Sequence, residues 1–134
     1  MTTVNIGGKD YKIYYAIEPT IKSKLLKRLA SVEGIENWNA DNFDELFVMI
    51  GEMLLIGLQK EHKDVFGYNY VTEEGKEEVM SKVYSLLDDF AADEDADFFD
   101  LFHKLQDELL ENGFFAKLFR QEMKTAEQDQ TSEK

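Results

Sequence analysis

The chain of 134 residues contains no cysteine, a single proline and only two histidines. The lack of cysteine excludes disulfide bonds, thiolate metal sites and cysteine nucleophiles. No apolar run reaches the roughly 18 residues that a transmembrane helix needs, and the N-terminus lacks the basic and then apolar pattern of a signal peptide. We therefore expect a soluble, intracellular protein that does not bind membranes.

The residues that are present predict one globular domain with a polar end. Hydrophobic residues make up 43% of the chain and aromatic residues 13%, which is typical of a protein with a packed core. Residues 124–134 carry no large apolar side chain, so they are expected to form a flexible tail. The prediction is a globular domain over residues 1–123, with a hairpin at 1–17 and a helical body at 18–123.

Charge is distributed unevenly along the chain, whose net charge is −13. Residues 1–32 contain six basic and two acidic side chains, whereas residues 33–134 contain nine basic and 26 acidic ones. An acidic body repels phosphates, so nucleic acid and anionic membranes are not expected as partners. The asymmetry either serves solubility or brings a basic end onto the acidic body of another copy or onto a basic partner. Candidate self-association residues are Lys22, Lys24, Lys27 and Arg28.

The first 17 residues have the pattern of a β-hairpin. Apolar residues alternate with polar ones on both sides of a Gly-Gly-Lys-Asp turn at residues 7–10. The alternating residues are Val4, Ile6, Tyr11, Ile13 and Tyr15. Since a two-stranded hairpin is marginally stable alone, it is expected to pack on helices or pair with another chain.

The remaining sequence predicts a mainly α fold with four to five helices. The first helix has Pro19 in its first turn, buries the stripe Ile21, Leu25, Leu26 and Leu29, and ends at Gly34. The second, at about residues 42–61, is the most apolar and is expected at the centre of the core, where Gly51 and Gly57 would allow close packing.

Two further helices follow a loop at residues 62–71. Thr72 is expected to cap the third helix, and the fourth is expected to run from Asp97 to Asn112. Gly113 would cap or bend that helix, and a short fifth segment would continue through Phe119.

The sequence contains no pattern that predicts catalysis. A calcium loop starting at Asp93 would need glycine and glutamate where Phe98 and Lys104 stand. Neither His62 nor His103 belongs to a zinc motif, and no serine lies in a nucleophile elbow. We therefore expect a protein that is not an enzyme and has no catalytic residue, metal or cofactor.

A cluster of phenylalanines near the C-terminus is the strongest candidate for a binding surface. Six of them fall within 22 residues, and they do not all lie on one helical face. Either the cluster packs in the core, or part of it stays exposed and binds a partner. The six candidate partner-binding residues are Phe98, Phe99, Phe102, Phe114, Phe115 and Phe119.

A family resemblance follows from the opening sequence VNIGGKDYKIYYAI, a glycine-turn hairpin that runs into a helix. Together with the acidic helical body, the chain length and the polar C-terminal tail, it resembles the tail assembly chaperones of long-tailed (siphovirus-type) phages and prophages. The resemblance covers most of the chain and has no diagnostic motif.

This resemblance implies a function without an active site. Such chaperones bind the tape measure protein, keep its long hydrophobic helix soluble, and recruit tail tube subunits, the major tail protein, onto it. It further implies a homo-oligomer in the cytoplasm of the bacterial host that is absent from the mature virion.

Two other interpretations stay open. The first is an acidic inhibitor that mimics DNA and binds a DNA-binding enzyme, for which carboxylates would have to be spaced like phosphates. Its candidate residues are Asp88, Asp89, Asp93, Glu94, Asp95, Asp97 and Asp100. The second is a structural or regulatory helical domain with another partner.

Overall fold

The computed structural model describes residues 1–33, 39–114 and 116–117 and is mainly helical. In chain order the elements are β1 (Thr2–Ile6), β2 (Lys9–Ile13), α1 (Ile17–Lys22), α2 (Leu25–Glu33), α3 (Phe43–Gly57), α4 (Lys63–Phe66), α5 (Lys76–Ala91), α6 (Phe98–Asp107) and a π-helical turn (Glu108–Asn112). The predicted class, mainly α with a short N-terminal β-hairpin, is confirmed. Within the described ranges, no helix is both long and apolar enough to cross a membrane.

The hairpin forms because its turn residues accept positive φ. β1 and β2 pair antiparallel, with Ile6 opposite Lys9, and Gly7 and Gly8 between them have φ values of +60° and +81°. A type I′ turn needs such values at both central positions. The alternating residues Val4, Ile6, Tyr11 and Ile13 are buried, so the predicted inner face is confirmed. This face packs on α3 and α5.

Helix α3 lies at the centre of the core, as its composition predicts. Every residue from Met49 to Gly57 is buried, and the helix contacts α2, α5, α6 and β2. At its C-terminal end the Tyr14 N–H donates a 3.0 Å hydrogen bond to the Gly57 carbonyl oxygen. A Cβ added at Gly57 would lie 2.6 Å from Ile13 Cγ2, so the absence of a side chain allows the strand to approach.

The prediction of one continuous first helix is wrong. The chain turns at Ser23 and Lys24, where Lys24 has a left-handed φ of +60°, and this break separates α1 from α2. Leu25 and Leu29 are buried as expected, but the break takes Ile21 off their stripe and leaves it 50% exposed. Pro19 lies in the first turn of α1, as predicted, whereas Gly34 is outside the described residues.

The predicted cap of the third helix is also wrong. Helix α5 begins at Lys76, and its N-cap is Gly75 with φ +82° rather than Thr72. The Thr72 hydroxyl instead accepts a 3.3 Å hydrogen bond from the Glu74 N–H within the preceding turn. The predicted loop at residues 62–71 contains the short helix α4, which buries Phe66.

The fourth predicted helix, Asp97–Asn112, changes geometry near its end. Asp97 is the N-cap of α6, and after Asp107 the chain continues as a π-helical turn that buries Leu109. Leu118 and Phe119 of the predicted fifth segment, like the predicted tail at 124–134, lie outside the described residues.

Candidate functional site

An apolar groove lies between the N-terminal ends of α3 and α6. It has a volume of about 520 Å³. We call it the aromatic groove and define it by Phe43, Leu46, Phe47, Phe98 and Phe99. Phe43 and Phe47 are each 37% exposed and Phe99 is 39% exposed, which is a high exposure for such large apolar side chains.

The rings of the groove meet edge to face. Phe98 packs between Phe47 and Phe90, with ring centroids 4.9 Å and 5.1 Å away. Phe43 and Phe99 form a second pair, with centroids 6.5 Å apart. Such tilted arrangements are favourable for aromatic pairs beyond the area that they bury. The contact of Phe98 with Phe90 therefore anchors the groove to α5, and the pair Phe43 and Phe99 borders the solvent.

The start of α6 is fixed by Asp97. Its carboxylate accepts hydrogen bonds from the backbone N–H groups of Phe99 at 3.0 Å and Asp100 at 3.1 Å. This N-cap satisfies two donors that the first turn of a helix would otherwise leave unpaired. The N-cap therefore also fixes the backbone positions from which the Phe98 and Phe99 side chains project.

The start of α3 is fixed by a turn of asparagines. The Phe43 N–H donates to the Asn39 carbonyl oxygen at 2.9 Å, while the Asn42 side chain accepts from the Asn39 N–H at 2.8 Å. Asn39 and Asn42 thus hold the turn together, and the Asn42 side chain does not cap α3. The turn places Phe43 beside Phe99.

Carboxylates border the groove on the side of the connector between α5 and α6. We call Glu94, Asp95 and Asp97 the acidic rim; all three are exposed and line the groove. Local hydrogen bonds hold the backbone of this connector, among them a 2.9 Å hydrogen bond that the Asp95 N–H donates to the Asp93 carboxylate. A partner that fits the groove must therefore combine apolar side chains with positive charge.

The structure divides the predicted phenylalanine cluster. Phe98 and Phe99 line the groove, Phe102 is buried in the core, and Phe114 is half-buried. The other two candidates, Phe115 and Phe119, lie outside the described residues.

Phe43 and Phe47 complete the surface, although the sequence predicts that the second helix, to which they belong, lies at the centre of the core. Their spacing of four residues is a signal for a shared face. It does not say whether another element covers that face.

The four predicted self-association residues have different environments. Lys24 and Lys27 are exposed, and Lys22 lies 3.7 Å from Glu18 in a surface ion pair. Arg28 is partly exposed and also contacts another helix. Its guanidinium lies 2.7 Å from Glu52, a residue that is 8% exposed in the middle of α3.

Glu52 is the centre of a charged cluster that joins α2, α3 and α5. Lys76 Nζ lies 2.9 Å from Glu52 Oε1, and the exposed Glu73 lies 3.3 Å from Arg28 and 3.7 Å from Lys76. Burial, and after it the negative charge of Glu52, raises the pKa of the nearby Tyr68 phenol to about 12. The cluster borders a second cleft of about 630 Å³. Because each Glu52 oxygen faces a cation, we assign the cluster to holding the helices together.

The histidines do not form part of either cleft. His62 accepts a 3.0 Å hydrogen bond from the Lys12 N–H, and the His103 ring lies against Phe102. Across residues 1–33, 39–114 and 116–117, no three His, Asp or Glu side chains lie close enough together to hold a metal ion.

Comparisons with protein-family models, with curated proteins and with solved structures find no match to this chain. The aromatic groove and the sequence pattern are therefore the features of the molecule that bear on its function.

Proposed function

We propose that this chain is a non-enzymatic tail assembly chaperone of a long-tailed phage or prophage. In this proposal it binds the tape measure protein in the cytoplasm of the bacterial host, keeps that protein soluble and recruits the major tail (tube) protein onto it. It then leaves before the virion is complete. The sequence resemblance supplies the family, and the groove supplies a surface suited to the task.

The single observation that supports the proposal best is the aromatic groove with its acidic rim. A long apolar helix exposes a stripe of side chains at a spacing of three or four residues. Phe43, Phe47 and Phe99 offer partly exposed rings for such a stripe. The rim would pair with lysines or arginines that flank the stripe and would keep the empty groove hydrated.

Co-expression with the tape measure protein encoded in the same genome tests this proposal. We expect the wild-type chain to keep the tape measure protein in the soluble fraction and to co-purify with it. The double variant Phe43→Ser/Phe99→Ser should lose both effects while retaining its helical circular dichroism spectrum. Val71→Ser is the matched control, because Val71 is 63% exposed but does not line the groove.

Two outcomes would contradict the proposal. One is a tape measure protein that stays insoluble with the wild-type chain. The other is equal solubility with the double variant, which would place any binding elsewhere. Inhibition of a DNA-binding enzyme by the wild-type chain would favour DNA mimicry instead, since the seven candidate carboxylates between Asp88 and Asp100 are all exposed.

A further inference from the structure

A second apolar surface lies on α1, and its charge is complementary to that of the aromatic groove. Ile17 is 61% exposed and Ile21 is 50% exposed. Their spacing of four residues places both on one face of the helix. Lys22 is the last residue of α1, next to Ile21. Lys24 lies in the break between α1 and α2, where its N–H donates to the Ile21 carbonyl oxygen. The α1 face is therefore apolar with a basic border, whereas the groove is apolar with an acidic rim.

The charge of the α1 face is positive overall. The carboxylate of Glu18 in α1 is shared between Lys22 at 3.7 Å and the Tyr70 hydroxyl at 3.2 Å. Within the described part of the chain, Lys24 and Lys27 have no ion-pair partner. Two exposed lysines thus remain available to face the carboxylates of a second molecule.

The α1 face and the groove lie at opposite ends of α3. Helix α2 runs antiparallel to α3, because Arg28 contacts Glu52, and Val32, later in α2, lines the same cleft as Val48 and Met49, earlier in α3. Its beginning, and α1 before it, are therefore near Gly57, while the groove is at Phe43. A helix of 15 residues spans about 22 Å. A copy cannot place its α1 in its own groove, so any contact between the two surfaces joins different molecules.

We propose that the aromatic groove of one copy binds the α1 face of a second copy, so that self-association and partner capture compete for one surface. Ile17 and Ile21 would insert between Phe43, Phe47 and Phe99. Lys24, together with Lys22 once it leaves its 3.7 Å surface pair with Glu18, would face Glu94 and Asp95. The two surfaces differ, so the association is head-to-tail and adds further copies. The competition rests on the proposed function; the self-association does not.

Sedimentation velocity of the full chain over a range of concentrations tests the contact. We expect the mass of the wild-type protein to rise with concentration and to fall at raised salt. Ile17→Ser/Ile21→Ser should remain monomeric, whereas Val71→Ser should associate like the wild type. A wild-type chain that is monomeric at every concentration, or an isoleucine variant that associates normally, would overturn the proposal.

A charge exchange identifies which surfaces meet. Lys22→Glu/Lys24→Glu and Glu94→Lys/Asp95→Lys should each associate roughly tenfold more weakly, because like charges then face each other. A 1:1 mixture should recover wild-type association, since each variant then meets an opposite charge. Failure of the mixture to recover would contradict the assigned contact. Asp97 is left unchanged because it caps α6.

The co-expression assay separates this inference from the proposed function. Ile17→Ser/Ile21→Ser keeps its groove, so it should capture at least as much tape measure protein as the wild type. Capture without any self-association would overturn only the inference drawn here. Self-association as described, without capture, would overturn only the proposed function. Less capture by the isoleucine variant would contradict the competition.

Discussion

At its C-terminal end α3 is enclosed by the hairpin and by neighbouring helices, whereas at its N-terminal end it carries phenylalanines that are more than one-third exposed. Both ends carry large apolar side chains, yet Met53 to Gly57 are buried and Phe43 and Phe47 border solvent. The difference comes from neighbours: β2 closes one end, and the acidic connector before α6 leaves the other open. One helix thus stabilises the fold at one end and offers a binding surface at the other.

Truncation of a side chain on α3 should give the largest difference between its ends. Leu54→Ala should cost about 2–5 kcal/mol of unfolding free energy, because Leu54 is fully buried and the change leaves a cavity. Phe43→Ala should cost about 1 kcal/mol or less, because its ring already borders water. Urea unfolding followed by circular dichroism measures both values. Equal losses would contradict the division of α3 into an enclosed and an open end.

Removal of the buried carboxylate in the middle of α3 should come next. Glu52→Ala removes the buried one of the two carboxylates that Arg28 and Lys76 share and should cost about 2–3 kcal/mol of unfolding free energy. This is less than the loss expected for a fully buried pair, because Arg28 is partly exposed and the exposed Glu73 remains. Glu73→Ala, which removes an exposed carboxylate from the same cluster, should cost about 0.5 kcal/mol or less. The same urea assay compares them, and similar losses would show that Glu52 is not the centre of the cluster.

The two glycines of α3 should respond to alanine in opposite directions. Gly57→Ala should cost about 1–3 kcal/mol, because its new Cβ would lie 2.6 Å from Ile13 at the enclosed end. Gly51→Ala should gain up to about 1 kcal/mol, because its Cβ would meet Met80 and Tyr84 only at ordinary contact distances of 3.6 Å. Thermal unfolding of both variants gives the sign, and a stable Gly57→Ala would contradict the close packing of β2.

Alkaline pH should lower the free energy of unfolding, because Tyr15, which packs at the enclosed end of α3, then ionises. Its hydroxyl donates a 3.0 Å hydrogen bond to the Met53 carbonyl oxygen, and burial, together with the charge of Glu108, raises its pKa above the ordinary value of 10.0. The raised pKa means that the folded state favours the neutral phenol, so its contribution is complete below pH 10 and is lost as pH rises above it.

The Tyr15→Phe variant isolates this contribution. It should lose about 1 kcal/mol near neutral pH, since one hydrogen bond is removed. Its stability should then fall less steeply above pH 10 than that of the wild type. Parallel alkaline profiles from urea unfolding would contradict the assignment to Tyr15.

The smallest expected effect concerns the break beside the enclosed end. Lys24 has φ +60°, a conformation that costs a non-glycine residue about 1–2 kcal/mol, while glycine adopts it freely but loses more entropy on folding. Lys24→Gly should therefore gain about 0.5 kcal/mol. Lys27→Gly, within α2, is the control and should lose about 1 kcal/mol. A loss at both positions would show that the break at Lys24 is not strained.

The sequence predicted the parts of the fold that depend on local pattern. The hairpin follows from alternation around Gly7 and Gly8, and the central position of α3 follows from an apolar helix with two faces. The break at Lys24 was missed because left-handed backbone at a lysine has no sequence signal. The late start of α5 at Lys76 was missed because Thr72 fits the usual cap chemistry.

Only the α6 side of the groove could be predicted from the sequence. The pattern identified Phe98 and Phe99 as candidates because they do not share one stripe. It placed the second helix, to which Phe43 and Phe47 belong, at the centre of the core, since periodicity shows which residues share a face but not where the neighbouring elements stop. For the same reason it did not show that Arg28, a self-association candidate, contacts the buried Glu52 on another helix.

Site-specific photocrosslinking tests the central claim most directly. A photoreactive phenylalanine analogue would replace Phe99 in the groove or, in the matched control, Val71 on the exposed loop before α5, during co-expression with the tape measure protein. The proposed function predicts a crosslink to the tape measure protein from position 99 and none from position 71. A crosslink from position 71 alone, or none from position 99 in a soluble complex, would contradict the groove as the binding surface.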